Sequence, residues 1–444
     1  MNVKHIASYE ANYWVQETVG PATPAGDDVV LTGEQGQRIL GFGGCFNELG
    51  WEALGLVDTK TRERFLDELF LEENCGFNYG RVPIGANDFS LEWYSCDEVA
   101  SDYTLEHFNI DRDRVYTLPF VREAQKRQAG LTLFASPWSP PTWMKTKRAY
   151  NYGTLRMEES VLKAYAQYFV KFVQAYAAEG VRVEQVHVQN EPMADQKFPS
   201  CLWKGEDMRR FIADYLGPAF QQAELDTEIW LGTINGPFVD FMMPGSAPFS
   251  EHFDQFAGTV LSDERAREYL TGVGVQWGGK HVVEQIRASY PEMRYMNTES
   301  ECGDGENSWE HMEYIFQQMW FYFRHGAERY TYWNLALQNG GISTWGWRQN
   351  SLCTVDPEKR TLTLQPEFYL MKHLSHFVKA GAYYMPVKGH FAGNTIAFQN
   401  PDGSVVLVVA SNMARERTFN YRDGARSFSA VIKPHSVHTF LIGC

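Results

Sequence analysis

The chain is poor in the features that would mark a membrane-bound, metal-bound or disulfide-built protein. Cysteine is sparse in its 444 residues: positions 45, 75, 96, 201, 302, 353 and 444, an odd number, widely spread, with no C-x-x-C pair. That pattern supports neither a disulfide framework nor a thiolate zinc site, and it suits a reducing compartment. Long apolar runs are missing as well. The longest, Val405 to Ala410, falls far short of the ~20 residues that span a bilayer. Met1 to Val15 holds Lys4 but no continuous apolar stretch of the kind a signal peptide needs, so a cytoplasmic location and no membrane insertion are expected. Positive charge is outweighed: 40 Lys and Arg face 55 Asp and Glu, a formal net charge of −15. Such a surface argues against nucleic acid as a partner. Familiar catalytic signatures are absent too. No H-E-x-x-H pair suggests a metal, no G-x-S-x-G elbow suggests a serine triad, and Gly41-Phe42-Gly43-Gly44-Cys45-Phe46 lacks the second spacing of a dinucleotide fingerprint. No metal and no cofactor are expected.

What is present is core material and aromatics. Hydrophobic residues make up 44% and charged ones 21%, which describes a large globular protein. Aromatics reach 15%, with 13 Trp. Trp and Tyr pair a flat apolar face with a polar edge, so some of them suit a sugar groove and others a core.

Periodicity divides the chain into 1–33, 34–380 and 381–444. The first part reads as short strands, Tyr13-Trp14-Val15 and Val29-Val30-Leu31, around a Gly/Pro loop. The second alternates strand and helix eight times. Its strands are predicted at 37–46, 77–84, 131–136, 183–191, 228–234, 271–277, 293–299 and 327–335. Its helices are predicted at 59–72, 118–128, 158–179, 205–223, 252–270, 281–290, 308–326 and 366–379. The clearest helix spaces Val161, Tyr165, Phe169, Phe172 and Tyr176 at steps of three or four before Gly180. Eight such units predict an α/β fold, a (β/α)8 TIM barrel. After Gly381 short strands at 394–399, 404–410, 427–432 and 436–442 predict a small antiparallel β-sandwich, which the N-terminal strands are expected to join.

In such a barrel, chemistry gathers at the C-terminal ends of the strands. Val186 and Val188 alternate with polar neighbours in strand four, which ends on Glu191 before Pro192. Proline disfavours helix at the preceding residue, so Glu191 is expected to be extended at the strand tip. Strand seven ends on two acids, Glu299 and Glu301, two residues apart and hence on one face; spacing does not choose between them. Paired carboxylates across a barrel mouth suit glycoside hydrolysis, in which one protonates the leaving oxygen and the other attacks or activates water. A separation of about 5–5.5 Å would mean retention, about 6.5–9.5 Å inversion. The competing expectation is that strand-end acids cap helices or pair with arginine. His187, four residues before Glu191, reads as an interior hydrogen-bonded histidine. Trp138, Trp277 and Trp333 lie at strand ends, with Trp345 and Trp347 in a later loop. Together they look like the wall of a carbohydrate pocket.

The set Gly41-Phe42-Gly43-Gly44, Arg81-Val82-Pro83, Asn87-Asp88-Phe89-Ser90, the run Ala135 to Lys145, Asn190-Glu191-Pro192, Thr298-Glu299 and Trp333-Asn334-Leu335 resembles glycoside hydrolase family 30. This is the family of glucosylceramidases, β-xylosidases and β-1,6-glucanases. The resemblance covers nearly the whole chain. It implies a retaining mechanism with Glu191 as acid/base and Glu299 as nucleophile, Arg81 supporting the latter. It also implies that Asn190 holds a 2-hydroxyl while Asp88 and Trp138 bind the far end of one terminal sugar. Two departures stand out. Gln276-Trp277-Gly278 replaces His-Trp-Tyr after strand six, so that a tyrosine beside the nucleophile is either missing or supplied from elsewhere in the chain, and Asn47-Glu48 replaces Thr-Asp. The expected activity is an exo-acting β-glucosidase using carbohydrate substrates. β-Xylosidase, endo-β-1,6-glucanase and a catalytically silent carbohydrate-binding protein are the alternatives.

Overall fold

The computed structural model describes residues 2–24, 26–236, 256–424 and 426–443. Eight parallel strands form one sheet that curls into a nearly closed barrel. They are β1 (Gly41–Cys45), β2 (Tyr79–Ile84), β3 (Thr132–Pro137), β4 (Val183–His187), β5 (Glu228–Ile234), β6 (Leu270–Gln276), β7 (Arg294–Glu299) and β8 (Arg329–Asn334). Consecutive strands are neighbours, and β8 returns to β1. The seam between β7 and β8 is bridged by Glu328 N–H to Tyr295 O at 3.0 Å and Ser300 N–H to Thr331 O at 3.1 Å. The glycines of β1 serve this packing. A Cβ on Gly43 would lie 1.6 Å from the Tyr79 carbonyl oxygen, so only glycine lets β1 approach β2.

Inside the barrel Tyr79, Phe134, Trp230 and Met296 pack as one apolar layer. Two residues further along β2 and β3 the same inward face carries Arg81 and Ser136, so the filling turns polar toward the C-terminal rim. His187 is buried between these levels, tilted against Phe134 and stacked on Trp230. Among the described residues its ring nitrogens make only a long 3.4 Å approach, from Nε2 to Gln185 Oε1, weaker than the hydrogen bond expected of an interior histidine.

Three local expectations are corrected. Strand four ends at His187, and Glu191 is not extended but left-handed, with φ +45°. The proline rule excludes the right-handed helix there, and the chain satisfies it by turning. Ala194 N–H reaches Glu191 O at 2.9 Å, with Pro192 and Met193 as the central pair of that turn. The helix predicted at 205–223 contains a wider π turn at Ile212–Leu216, closed by Gly217 N–H on Ile212 O just before Pro218, which has no N–H to give. The helix predicted at 252–270 is two short helices, Ala257–Ser262 and Glu264–Arg267. They are separated where the Asp263 side chain accepts from Ala266 N–H and starts a new cap. Residues 252–255 lie outside the described residues.

The C-terminal part is a sandwich of two sheets. A six-stranded sheet runs Tyr383–Tyr384, Thr395–Gln399, Val405–Ser411, Ser436–Ile442, Val3–Tyr9 and Asn12–Glu17. A four-stranded one runs Val387–Lys388, Asp27–Leu31, Arg417–Asp423 and Arg426–Ile432. Val405, Leu407 and Val409 face the sandwich core with Phe419, Phe428 and Phe440, while Val406 and Val408 join the barrel's apolar cluster. A strand buried on both faces explains the unbroken apolar run there. Among the described residues no helix is long and apolar enough to cross a membrane.

Candidate active site

The strand tips and the loops after them enclose a cavity of about 230 Å³. Asp88, Trp138, Asn190, Glu191, Trp277 and Glu299 line it, and Arg81, Gln276 and Trp333 form the layer beneath. The sequence-derived set is therefore brought together at one place, six residues facing the space and three supporting them.

Arg81 is the hub. Buried at the C-terminal end of β2, it gives Nη1 to Glu299 Oε2 at 2.5 Å and Nη2 to Asn190 Oδ1 at 2.7 Å and Ser136 Oγ at 2.8 Å. Its guanidinium lies 4.3 Å from the Trp138 ring centre and 5.4 Å from that of Trp333. Trp333 is pinned in turn by its Nε1–H on Gln349 Oε1 at 2.7 Å. Asn190 Oδ1 also accepts from Gln276 Nε2 at 2.7 Å and Thr233 Oγ1 at 3.1 Å. Its oxygen is thus used up by protein donors, and its Nδ2 is the group left to donate into the cavity.

Glu191 and Glu299 sit in different fields. Glu191 Oε1 accepts from Asn235 Nδ2 at 2.8 Å, and Asn235 is itself held by Gly278 N–H at 2.7 Å. Burial pushes the Glu191 carboxyl up, with that hydrogen bond and the more distant Arg81 only partly opposing. Burial pushes the Glu299 carboxyl up as well, and Glu191 and Asp88 add to this, but the Arg81 guanidinium in direct contact opposes it by favouring the anion. Burial raises Asp88 to about 7, and its Oδ1 has no partner within the protein. Three carboxyl groups thus share one guanidinium, and only one negative charge can be matched at a time. The 2.5 Å contact to Arg81 favours that charge on Glu299, while Glu191 is held by the neutral Asn235 amide and Asp88 Oδ1 has no protein donor.

Glu299 and Glu301, equivalent by spacing, part company here. Glu301 also faces the cavity, but its Oε2 accepts from Gly303 N–H at 3.0 Å and lies 3.5 Å from His311 Nδ1. No tyrosine lines the cavity among the described residues; the Cys302 thiol approaches Glu299 Oε1 instead, at 3.6 Å. The other departure is structural. Asn47 links Asn334 to Asn87, and Glu48 accepts from Arg112 and Leu91 N–H, fixing the loop that carries Asp88. Sequence reasoning missed Asn235, Cys302, Gln196, Phe198 and Gln349 on the cavity wall. Asn235 follows β5 directly, and the strand-end rule applied to β4 and β7 would have found it. Among the described residues no cluster of His, Cys, Asp and Glu could hold a metal.

A parallel barrel with acids, amides and tryptophans converging at its C-terminal rim is the architecture of an O-glycosyl hydrolase. Comparison with known proteins narrows the class. Residues 39–378 match the glycosyl hydrolase family 30 TIM-barrel domain and residues 393–440 the glycosyl hydrolase family 30 beta sandwich domain; the chain belongs to this family. It is 28% identical over 432 residues to putative glucosylceramidase 3 of Caenorhabditis elegans, covering 92% of this chain and 80% of the relative. It is 28% identical to lysosomal acid glucosylceramidase of Mus musculus, covering 91% and 81%. Among solved structures, the endo-β1,6-glucanase BT3312 superposes with a TM-score of 0.86 at 26% identity over the full length of both chains.

Proposed function

We propose that the chain is a retaining β-glycosidase that removes one β-linked glucose from glucosides or short gluco-oligosaccharides. The observation that carries this reading is the small cavity in which Glu191, Glu299 and Asp88 share the single guanidinium of Arg81. In the first half-reaction Glu299, ionised against Arg81, attacks the anomeric carbon while Glu191 gives its proton to the departing oxygen. In the second, Glu191 takes a proton from water, and the resulting hydroxyl displaces Glu299. Asn190 Nδ2 is placed to donate to the sugar beside the reacting carbon, and Asp88 Oδ1 to bind a hydroxyl at the far side.

Glu299→Gln should abolish turnover of every substrate. Glu191→Ala should lose roughly 10²–10⁴-fold on substrates with poor leaving groups, yet still release dinitrophenol rapidly in a first-turnover burst. Proton NMR should show the β-anomer as the first product. An α-anomer first, or a harmless Glu299→Gln beside a lethal Glu301→Gln, would overturn the assignment.

The likeness to an endo-β1,6-glucanase supports a second reading, internal cleavage of a β-1,6-glucan. Product analysis separates the two: glucose alone from the earliest time points supports terminal removal, a ladder of oligosaccharides internal cleavage.

A further inference from the structure

Outside the catalytic cavity lies a second, open one of about 500 Å³, and the two share Gly303, Trp345 and Trp347 as a common wall. We propose that this outer cavity is a leaving-group subsite built for a second pyranose ring stacked on Trp347, so that the preferred substrate is a saccharide and not a glycolipid. The inference rests on the glucosidase reading above.

Trp347 is 50% exposed, an unusual state for so large an apolar side chain. It does not hang on a slack loop. Trp347 N–H is held by Ser343 Oγ at 3.1 Å, Trp347 O accepts from Ser343 N–H at 2.7 Å, and Ile342 bridges Arg348. The same loop is tied to the one carrying Asp88: Thr344 N–H reaches Asp88 O at 3.3 Å, and its hydroxyl bonds Ser90 O. The backbone that carries the ring is therefore tied to the loop of the inner cavity before any ligand arrives. Trp345 packs 5.0 Å from Trp347 and 5.5 Å from Phe198, bracing it from behind.

The remaining wall decides between occupants. Beyond the two tryptophans the described residues that line it are Lys197, Asp304, Arg348 and the glycines 303 and 346, with no Leu, Ile, Val or Met among them. A lipid chain needs a continuous apolar wall, because each methylene left against charge or water forfeits its gain from burial. A pyranose needs one flat apolar face with donors and acceptors at its edge, which Trp347, the cations Lys197 and Arg348 and the acceptor Asp304 supply. Gly346 adds room: a Cβ there would meet nothing within 4 Å.

The test measures kcat/KM of the full chain and of Trp347→Ala on gentiobiose and on β-glucosyl fluoride, whose leaving group is too small to reach the outer cavity. The ratio of gentiobiose to fluoride efficiency should fall roughly three- to ten-fold in the variant, the scale of one aromatic stacking contact. Trp347→Phe should restore most of it. The wild-type chain should also favour gentiobiose over glucosylceramide in mixed micelles. An unchanged ratio, or a preference for glucosylceramide, would overturn the subsite. Failure of the wild-type chain to turn over the fluoride at all would strike the glucosidase reading itself.

Discussion

At the scale of single residues, the cavity is governed by a shortage of positive charge. Asp88, Glu191 and Glu299 all carry raised pKa values because burial disfavours the anion, and among the described residues Arg81 is the cation that acts on all three. The proposed reaction needs Glu191 protonated and Glu299 ionised. Efficiency should therefore fall on the alkaline side as Glu191 gives up its proton, and on the acid side as Glu299 takes one. Glu191→Gln, assayed on an activated aryl glucoside, should lose the alkaline limb while keeping the acid one. A wild-type profile with no alkaline limb would contradict these roles. Cys302 adds a second test. Burial beside Glu299 pushes its thiol well above the ordinary range, so it stays protonated and can donate to Glu299 Oε1. A weak donor to a buried carboxylate is worth about 1 kcal/mol. Cys302→Ala should thus lower kcat/KM roughly five-fold and move the acid limb upward, while Cys302→Ser should restore both. If the alanine variant left the acid limb in place, the thiol would be mere filling.

At the scale of elements, the eight barrel strands and the acids at their tips were legible because each signal is local: an apolar run, a three-four spacing, a residue at a strand end. The geometry of Glu191 was not. Its φ of +45° depends on the chain past β4 pairing with β5, through Gln189 N–H to Gly232 O and Glu191 N–H to Thr233 O. Strand Arg417–Asp423 went unseen because arginine, asparagine and aspartate mask the alternation of its inward Phe419 and Tyr421. Cys302 and Gln349 enter the cavity on loops whose course is set by distant contacts. One such contact is Glu367, buried in the last barrel helix (Pro366–Ser375). Its Oε1 accepts from Asn350 Nδ2 at 2.7 Å, and Asn350 Oδ1 in turn accepts from Gly305 and Asn307 N–H, anchoring the loop after β7. Burial raises Glu367 to about 8, and its Oε2 has no partner within the protein. Since the folded value lies above the unfolded one, this group's stabilisation is complete below the ordinary carboxyl range and is lost as pH rises through about 8. Glu367→Gln, a permanent mimic of the protonated form, should show a smaller fall in Tm between pH 4.5 and about 8 than the wild-type chain. Glu367→Ala should cost about 1–3 kcal/mol at neutral pH. An equal fall across that window in the glutamine variant would remove Glu367 from this role.

At the scale of the whole molecule, the sandwich is joined to the barrel through buried histidines, and these limit stability from the opposite side. His5 Nε2 meets His438 Nδ1 at 2.9 Å across two adjacent strands of the six-stranded sheet. His373, on the last barrel helix, bonds Ser8 Oγ and Thr439 Oγ1, both at 2.8 Å, and so ties the helix to those strands. Burial lowers all three: His373 to about 3, His438 well below its ordinary 6.5, His5 less far. Neighbouring positive charge acts the same way: His5, then His376 and Lys372, on His373, and His5, then His373 and Lys433, on His438. Glu17 and the Thr18 carbonyl oppose the shift at His5 alone. Because the folded values lie below the unfolded ones, this stabilisation is fully present above 6.5 and is lost as pH falls toward 3. Each histidine held neutral contributes a slope of up to about 1.4 kcal/mol per pH unit across that window. The raised carboxyls fail toward alkali and the depressed histidines toward acid, so Tm should peak near neutrality. On acidification the joint between sandwich and barrel should open while the barrel's interior layers are intact. Thermal unfolding across the acid range checks this, comparing the wild-type chain with His373→Gln, which keeps a donor and an acceptor but has no basic nitrogen to protonate. The variant should lose stability less steeply with falling pH, by about one proton's worth of slope. An acid slope identical in the two proteins would mean that the joint is not where protons enter.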